Sequence, residues 1–176
     1  YSGSTYFPQS GFIISADGLV VTAISGDGKN YSVVTSDGEQ QEAKILISDP
    51  VLGLVLLKID SPVSGLKVLK LGDSDSVRPG QVVFGYSKFS SEDYRVALGI
   101  VSAKESELIL TDVTATDQHF GSPLLNLKGE VIGIINGFDP DFPRLGLAVP
   151  INKVKPHIPG AISSSGALFY EPATAY

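Results

Sequence analysis

Residues Thr111–Gly129, TDVTATDQHFGSPLLNLKG, decide how this chain is read. Thr, Asp and Gln dominate the first half of the stretch. It then passes through Gly121-Ser122-Pro123 into Leu124-Leu125, and the apolar segment Glu130–Asn136 follows. An irregular polar loop in front of a buried strand is the usual mounting of a site, because functional groups sit on loops held by a rigid scaffold. The centre of this loop reads Gln118-His119-Phe120.

Outward from that loop, short apolar or alternating runs recur between Gly, Asp, Ser and Pro, and long helical periodicity is nearly absent. That pattern predicts an all-β sandwich or barrel. Strands are expected at Gly11–Ser15, Leu19–Ala23, Tyr31–Thr35, Glu42–Ile47 and Leu54–Ile59. A second group is expected at Val82–Tyr86, Tyr94–Ala103, Leu108–Thr111, Pro123–Leu127, Glu130–Asn136 and Leu145–Val149. Asp17-Gly18, Asp27-Gly28, Asp37-Gly38 and Lys128-Gly129 mark turns between them. Only Ile151–His157 reads as briefly helical before Pro156 and Pro159.

The two strand groups part at Asp60–Gly80, where Ser61-Pro62, Gly72-Asp73 and Pro79-Gly80 give a linker composition. Two small antiparallel barrels are the natural packing, since closing a sheet removes its exposed edges. The expected organisation is a first barrel over 1–60, a linker over 61–80 and a second barrel with a short terminal helix over 81–159. Residues 160–176, with Ser163-Ser164-Ser165-Gly166, read as a flexible tail.

Composition narrows the function. A hydrophobic content of 43% with 18% charged residues describes a globular chain. The net charge of −6 and the lack of any basic run argue against nucleic acid and against anionic membrane surfaces. With no cysteine there is no disulfide, thiolate nucleophile or zinc–thiolate site. The longest apolar run, Val51–Leu57, is far too short to span a membrane. Tyr1 reads as a processing boundary, which leaves room for a removed targeting segment or membrane anchor.

Several stretches together resemble the HtrA (Deg) branch of the trypsin-like serine proteases. SGFIISADGLVVT resembles the opening of that family's first barrel, SDPVLGLVLLKID the segment around its catalytic Asp, and LGDSDSVRPGQVV its inter-barrel linker. SPLLNLKGEVIGI and LGLAVPINKVK resemble the end of its second barrel. The resemblance runs from Ser10 to about Lys155. It implies the trypsin-like fold of two antiparallel Greek-key barrels. It also implies peptide-bond hydrolysis by a Ser nucleophile whose proton is taken by a His that an Asp orients.

Residue by residue, the resemblance also implies that this chemistry is lost. Ser25 stands where the family's His follows a Val-Thr-Asn-Ala pattern, and Gly53 stands where its Asp precedes Leu-Ala-Val-Leu-Lys. Phe120 replaces the Ser of Gly-Asn-Ser-Gly-Gly-Pro-Leu. Gln118 replaces the glycine that helps to form the oxyanion hole. Tyr86-Ser87-Lys88 replaces a Gly-Asn-Pro turn.

Two rescue chemistries are conceivable. His119 with Ser122 could form a relocated serine hydrolase, although neighbours in a loop seldom face one another. Asp117, His119, Asp139 and Asp141 offer oxygen and imidazole ligands, but two histidines without ligand spacing make a poor metal centre. No cofactor is implied.

The expectation is therefore a pseudoprotease that serves as a binding, scaffold or assembly module for a protein or peptide. Phe120, Tyr86, Phe84 and Phe89 would line an aromatic groove. Leu145, Gly146, Leu147, Ala148 and Val149 correspond to the family's substrate-pairing strand and would capture an extended peptide if the strand edge were open. The resemblance further implies an extracytoplasmic setting, in the periplasm or envelope, with room for a membrane anchor. It implies a trimer built on aromatic residues near the amino end, for which Tyr1, Tyr6 and Phe7 are candidates. A mixed oligomer with active paralogues is the other assembly it suggests.

Overall fold

A computed structural model describes residues 9–24, 31–61, 65–88, 94–113, 115–116, 119–142 and 144–158. Tyr1, Tyr6, Phe7, Ser25, Phe89, Asp117, Gln118, the turn at 27–28 and the tail from 160 lie outside those residues. Among the described residues eleven strands follow in chain order: β1 (Gly11–Ile13), β2 (Leu19–Ala23), β3 (Tyr31–Val34), β4 (Gln40–Asp49), β5 (Leu54–Ile59), β6 (Val82–Lys88), β7 (Tyr94–Lys104), β8 (Ile109–Thr111), β9 (Pro123–Asn126), β10 (Val131–Phe138) and β11 (Gly146–Pro150). A single helical turn, α1 (Ile151–Val154), continues into a 3-10 turn at Lys155–His157.

The first sheet has the order β1-β2-β5-β4-β3, and the second closes as β10-β11-β8-β7-β6-β9. Within the second, β7-β8-β11-β10-β9 repeats the order of the first, and β6 is the extra strand that joins its two ends. The first sheet is thus a curled half-barrel and the second a full barrel. This is the trypsin-like double-barrel arrangement.

Strand alternation explains where the core lies. On β9, β10 and β11, Leu124, Ile135 and Ala148 point into the closed barrel with Val83, Val101 and Ile109. Their neighbours Leu125, Ile134 and Val149 point the other way and pack against Phe12, Ile14, Leu19, Val21, Leu54 and Leu56 of the first sheet. These strands are buried on both faces, so their sequence is a continuous apolar run rather than an alternating one. Each fully buried Leu or Ile contributes roughly 1.5–3 kcal/mol. The largest apolar cluster, containing Phe12, Leu54, Leu125 and Ile134, lies between the barrels and fixes their relative position.

The linker reinforces that seam. Leu69 N–H donates to Ile13 O at 2.9 Å, and Val131 N–H donates to Lys70 O at 2.9 Å, so one segment ties β1 to β10. Farther along, Asn152 N–H reaches the buried Ser74 hydroxyl at 3.1 Å and anchors α1 to the linker.

Candidate functional site

The loop before β9 is held from both sides. Phe120 O accepts from Ser10 N at 3.1 Å, and Gly121 N donates to Ile135 O at 2.7 Å. Thr22 Oγ1 donates to Ser10 O at 2.7 Å, which carries the contact on to β2. Gly121 has φ +84, and a Cβ there would lie 2.2 Å from Ser10 O, 2.7 Å from Ala23 N and 2.7 Å from Thr22 Oγ1. Only a glycine lets the second barrel press this loop against the backbone of the first.

The Phe120 ring lies 6.2 Å from the ring of Phe138 at an interplanar angle of 31°, a tilted pair within the favourable range for aromatic contacts. Phe138 ends β10, and Phe142 on the following hairpin is exposed. Asp139 Oδ1 accepts from the N–H groups of Asp141 and Phe142 at 2.9 and 3.0 Å, so this carboxylate shapes the hairpin. Among the described residues no group of three His, Cys, Asp or Glu is placed to hold a metal ion.

His119 and Ser122 are not brought together as a nucleophile and its base. Ser122 is fully buried, and its Oγ donates to the His119 carbonyl oxygen at 2.5 Å. The imidazole faces elsewhere: Nδ1 lies 3.1 Å from Thr116 N and 2.8 Å from Thr116 Oγ1. Because Nδ1 accepts the backbone N–H, the neutral ring carries its proton on Nε2. Burial first, and then the charge of Arg95, hold this imidazole below the ordinary histidine value of 6.5. The N–H groups of Gly121 and Ser122 are both spent, on Ile135 O and His119 O, so neither is turned towards a developing oxyanion.

Across the seam, Gly53 sits in the turn between β4 and β5 with φ +67. A Cβ at Gly53 would lie 2.4 Å from Asn136 Nδ2. That amide donates to Leu52 O at 2.8 Å, and Ile24 N donates to Gly53 O at 2.9 Å. The space that a side chain at position 53 would need is therefore filled from the second barrel. Asn136 is a site residue that the sequence reading does not single out. Its signal is slight: one amide at the end of the apolar run Val131–Ile135.

Of the segment Leu145–Val149, residues Gly146–Ala148 are paired on both sides. β11 pairs with β10 on one side and with β8 on the other, including Gly146↔Thr111 and Ala148↔Ile109. Leu145 also donates to Phe142 O and accepts from Asp139 N. Strand addition along Gly146–Ala148 would need an existing ladder to open. Of the aromatic residues, Phe84 packs against the inter-barrel cluster, while Tyr86 stacks on Tyr94 with centroids 5.5 Å apart. Ser25 and Gln118 lie outside the described residues.

Comparison with known proteins agrees with the fold. The family model for the trypsin-like peptidase domain matches residues 9–134. A probable periplasmic serine endoprotease DegP-like protein of Pseudomonas putida is 37% identical over 156 residues, covering 81% of this chain and 32% of that protein. The Brucella suis protein of the same description is 35% identical over 153 residues, covering 81% of this chain and 30% of its own length. The chain thus spans about a third of the length of these relatives. Among solved structures, the HtrA-type protease AlgW with decapeptide superposes with a TM-score of 0.74 at 28% identity, over 84% of this chain and 49% of that one. Fold, matched domain and relatives coincide: the chain belongs to the trypsin-like peptidase family, with HtrA-type proteases among its relatives.

Proposed function

We propose that this chain is a non-hydrolytic member of its family that keeps the two-barrel fold as a binding module for a protein or peptide. One observation carries the reading. Gly53, at the position where the resemblance places the catalytic Asp, has left-handed backbone and an Asn136 amide where its own Cβ would stand. A triad needs a carboxylate there to orient its histidine, and this turn is built around the lack of one. Phe120 at the nucleophile position carries no hydroxyl, and the nearby Ser122 hydroxyl is buried and bonded to a carbonyl.

Relatives that are described as periplasmic proteases support an extracytoplasmic setting, and solved neighbours that hold a decapeptide or a tripeptide support a peptide as ligand. With both ladders of Gly146–Ala148 occupied, side chains would read the peptide, and the Phe120–Phe138 pair with exposed Phe142 is a surface that offers apolar contact. Trimers, or mixed oligomers with active paralogues, are the assemblies that fit the family resemblance.

The test uses the pure protein with unfolded casein and with a fluorophosphonate probe. Neither turnover nor labelling is expected. Turnover or labelling that disappears in Ser122→Ala would overturn the non-hydrolytic reading.

A further inference from the structure

The turn that carries Gly53 has a second attachment, through Asp49. Asp49 closes β4, and its Oδ1 accepts the N–H groups of Val51 at 2.9 Å and Leu52 at 3.0 Å. Its other oxygen, Oδ2, lies 3.5 Å from Nε2 of His157 on the terminal 3-10 turn. Leu52 then accepts the Asn136 amide through its carbonyl, and Gly53 accepts Ile24 N–H. Within the five residues Asp49–Gly53, one turn touches the carboxyl-terminal turn, β10 of the second barrel and the chain just after β2.

We propose that Asp49 makes this turn a relay, through which protonation of His157 on the terminal turn is felt at the backbone of Leu52 and Gly53 in the candidate site. A carboxylate is a single planar group. A cation drawn to Oδ2 changes both its orientation and the charge that Oδ1 offers to the two turn N–H groups, and charge-assisted hydrogen bonds are the stronger ones. The apolar surroundings keep the terminal turn seated over the relay. Leu52, Leu54 and Ile47 share one small pocket with Val154, His157 and Ile158.

Among the described residues, the charged groups around His157 leave it one ionic partner, Asp49. The β2 and β5 residues that line the pocket, Val21, Leu54, Val55 and Leu56, are apolar, and β4 contributes Asp49. On the terminal element itself, Lys155 Nζ is engaged by Gly72 O at 2.6 Å and Asn152 Oδ1 at 2.9 Å. Lys153 is paired with Glu107. The contact is ionic only with a protonated ring, so the protonated state holds the terminal turn against the β4–β5 turn and the neutral state does not.

Two-dimensional amide NMR of the whole chain between about pH 5 and 8 tests the relay. The Leu52 and Gly53 amide shifts are expected to follow the titration of the His157 ring with a common midpoint, while a distant turn amide such as Gly129 does not. His157→Gln should remove at least half of the Gly53 shift change. His119→Gln should leave it in place, which separates the two histidines of the chain. Asp49→Asn is the second variant, since its amide oxygen still accepts the two turn N–H groups; there the His157 ring should titrate while Gly53 stays flat. A Gly53 profile unchanged by His157→Gln, or one that still tracks the ring in Asp49→Asn, overturns the relay.

Discussion

Gly53 and Gly121 face one another in logic across the barrel seam. Both have positive φ, +67 and +84, and both stand where an added Cβ would overlap the other barrel. Their neighbours differ. At Gly53 the obstacle is the Asn136 amide, the far end of a side chain that can rotate. At Gly121 the obstacles are Ser10 O and Ala23 N, backbone atoms fixed by the first sheet, with Thr22 Oγ1 beside them. One contact is an adjustable insertion, and the other is part of how the barrels are joined.

That contrast orders the effects of substitution. Gly121→Ala should be the most damaging, because neither the strained backbone nor the 2.2 Å approach to Ser10 O can relax without moving a strand. A loss of about 3 kcal/mol or more in denaturant unfolding is expected. A loss below about 1 kcal/mol would mean that the seam is looser than the packing implies, and would erase the distinction between the two glycines.

Gly53→Ala should cost less, about 1–3 kcal/mol, mostly for the left-handed backbone. The informative variant is the double one. Asn136→Ala alone loses the hydrogen bond to Leu52 O, worth about 1 kcal/mol, but it also clears the space that a methyl group at position 53 needs. The pair should therefore destabilise by less than the sum of the singles, with a coupling of about 1 kcal/mol. Additive losses would show that Asn136 does not occupy the position as described. Neither Gly53→Asp nor its combination with Asn136→Ala is expected to hydrolyse casein, since Phe120 still has no hydroxyl.

The sequence made the strands legible wherever apolar runs were bracketed by turns. β2 and β5 have the expected limits because Leu19–Ala23 and Leu54–Ile59 are almost wholly buried. β4 extends beyond the expected Glu42–Ile47 to Gln40–Asp49, since a ladder pairs backbone groups and accepts exposed Gln and Ser as readily as Ile. β10 likewise continues past Asn136 to Phe138, through a bulge that places Gly137 opposite Leu147. The half-barrel could not be read at all, because closure depends on which strands meet and not on what each contains. Nor could the role of Asn136: its contact with Leu52 spans 84 positions, and an amide at the end of an apolar run does not reveal its partner. Gly53 was legible only as a missing carboxylate, whereas the structure makes it a fitted glycine.

The two histidines offer the smallest effect and the finest comparison of the two regions. His157 gains an ionic partner when protonated, whereas His119, beside Phe120, is hindered from protonation by burial and by Arg95. A histidine whose folded-state value is lowered binds fewer protons folded than unfolded. Its contribution to stability is then fully present above the ordinary value of about 6.5 and is lost as the pH falls through the lowered one. In a His157→Gln background, which removes the opposing ion pair, unfolding free energy should decline between about pH 7.5 and 5. Adding His119→Gln should make that decline shallower, since the new amide oxygen can still accept the Thr116 N–H while carrying no charge. Equal slopes in the two backgrounds would mean that the closed Thr116–His119 contact does not depend on a neutral ring.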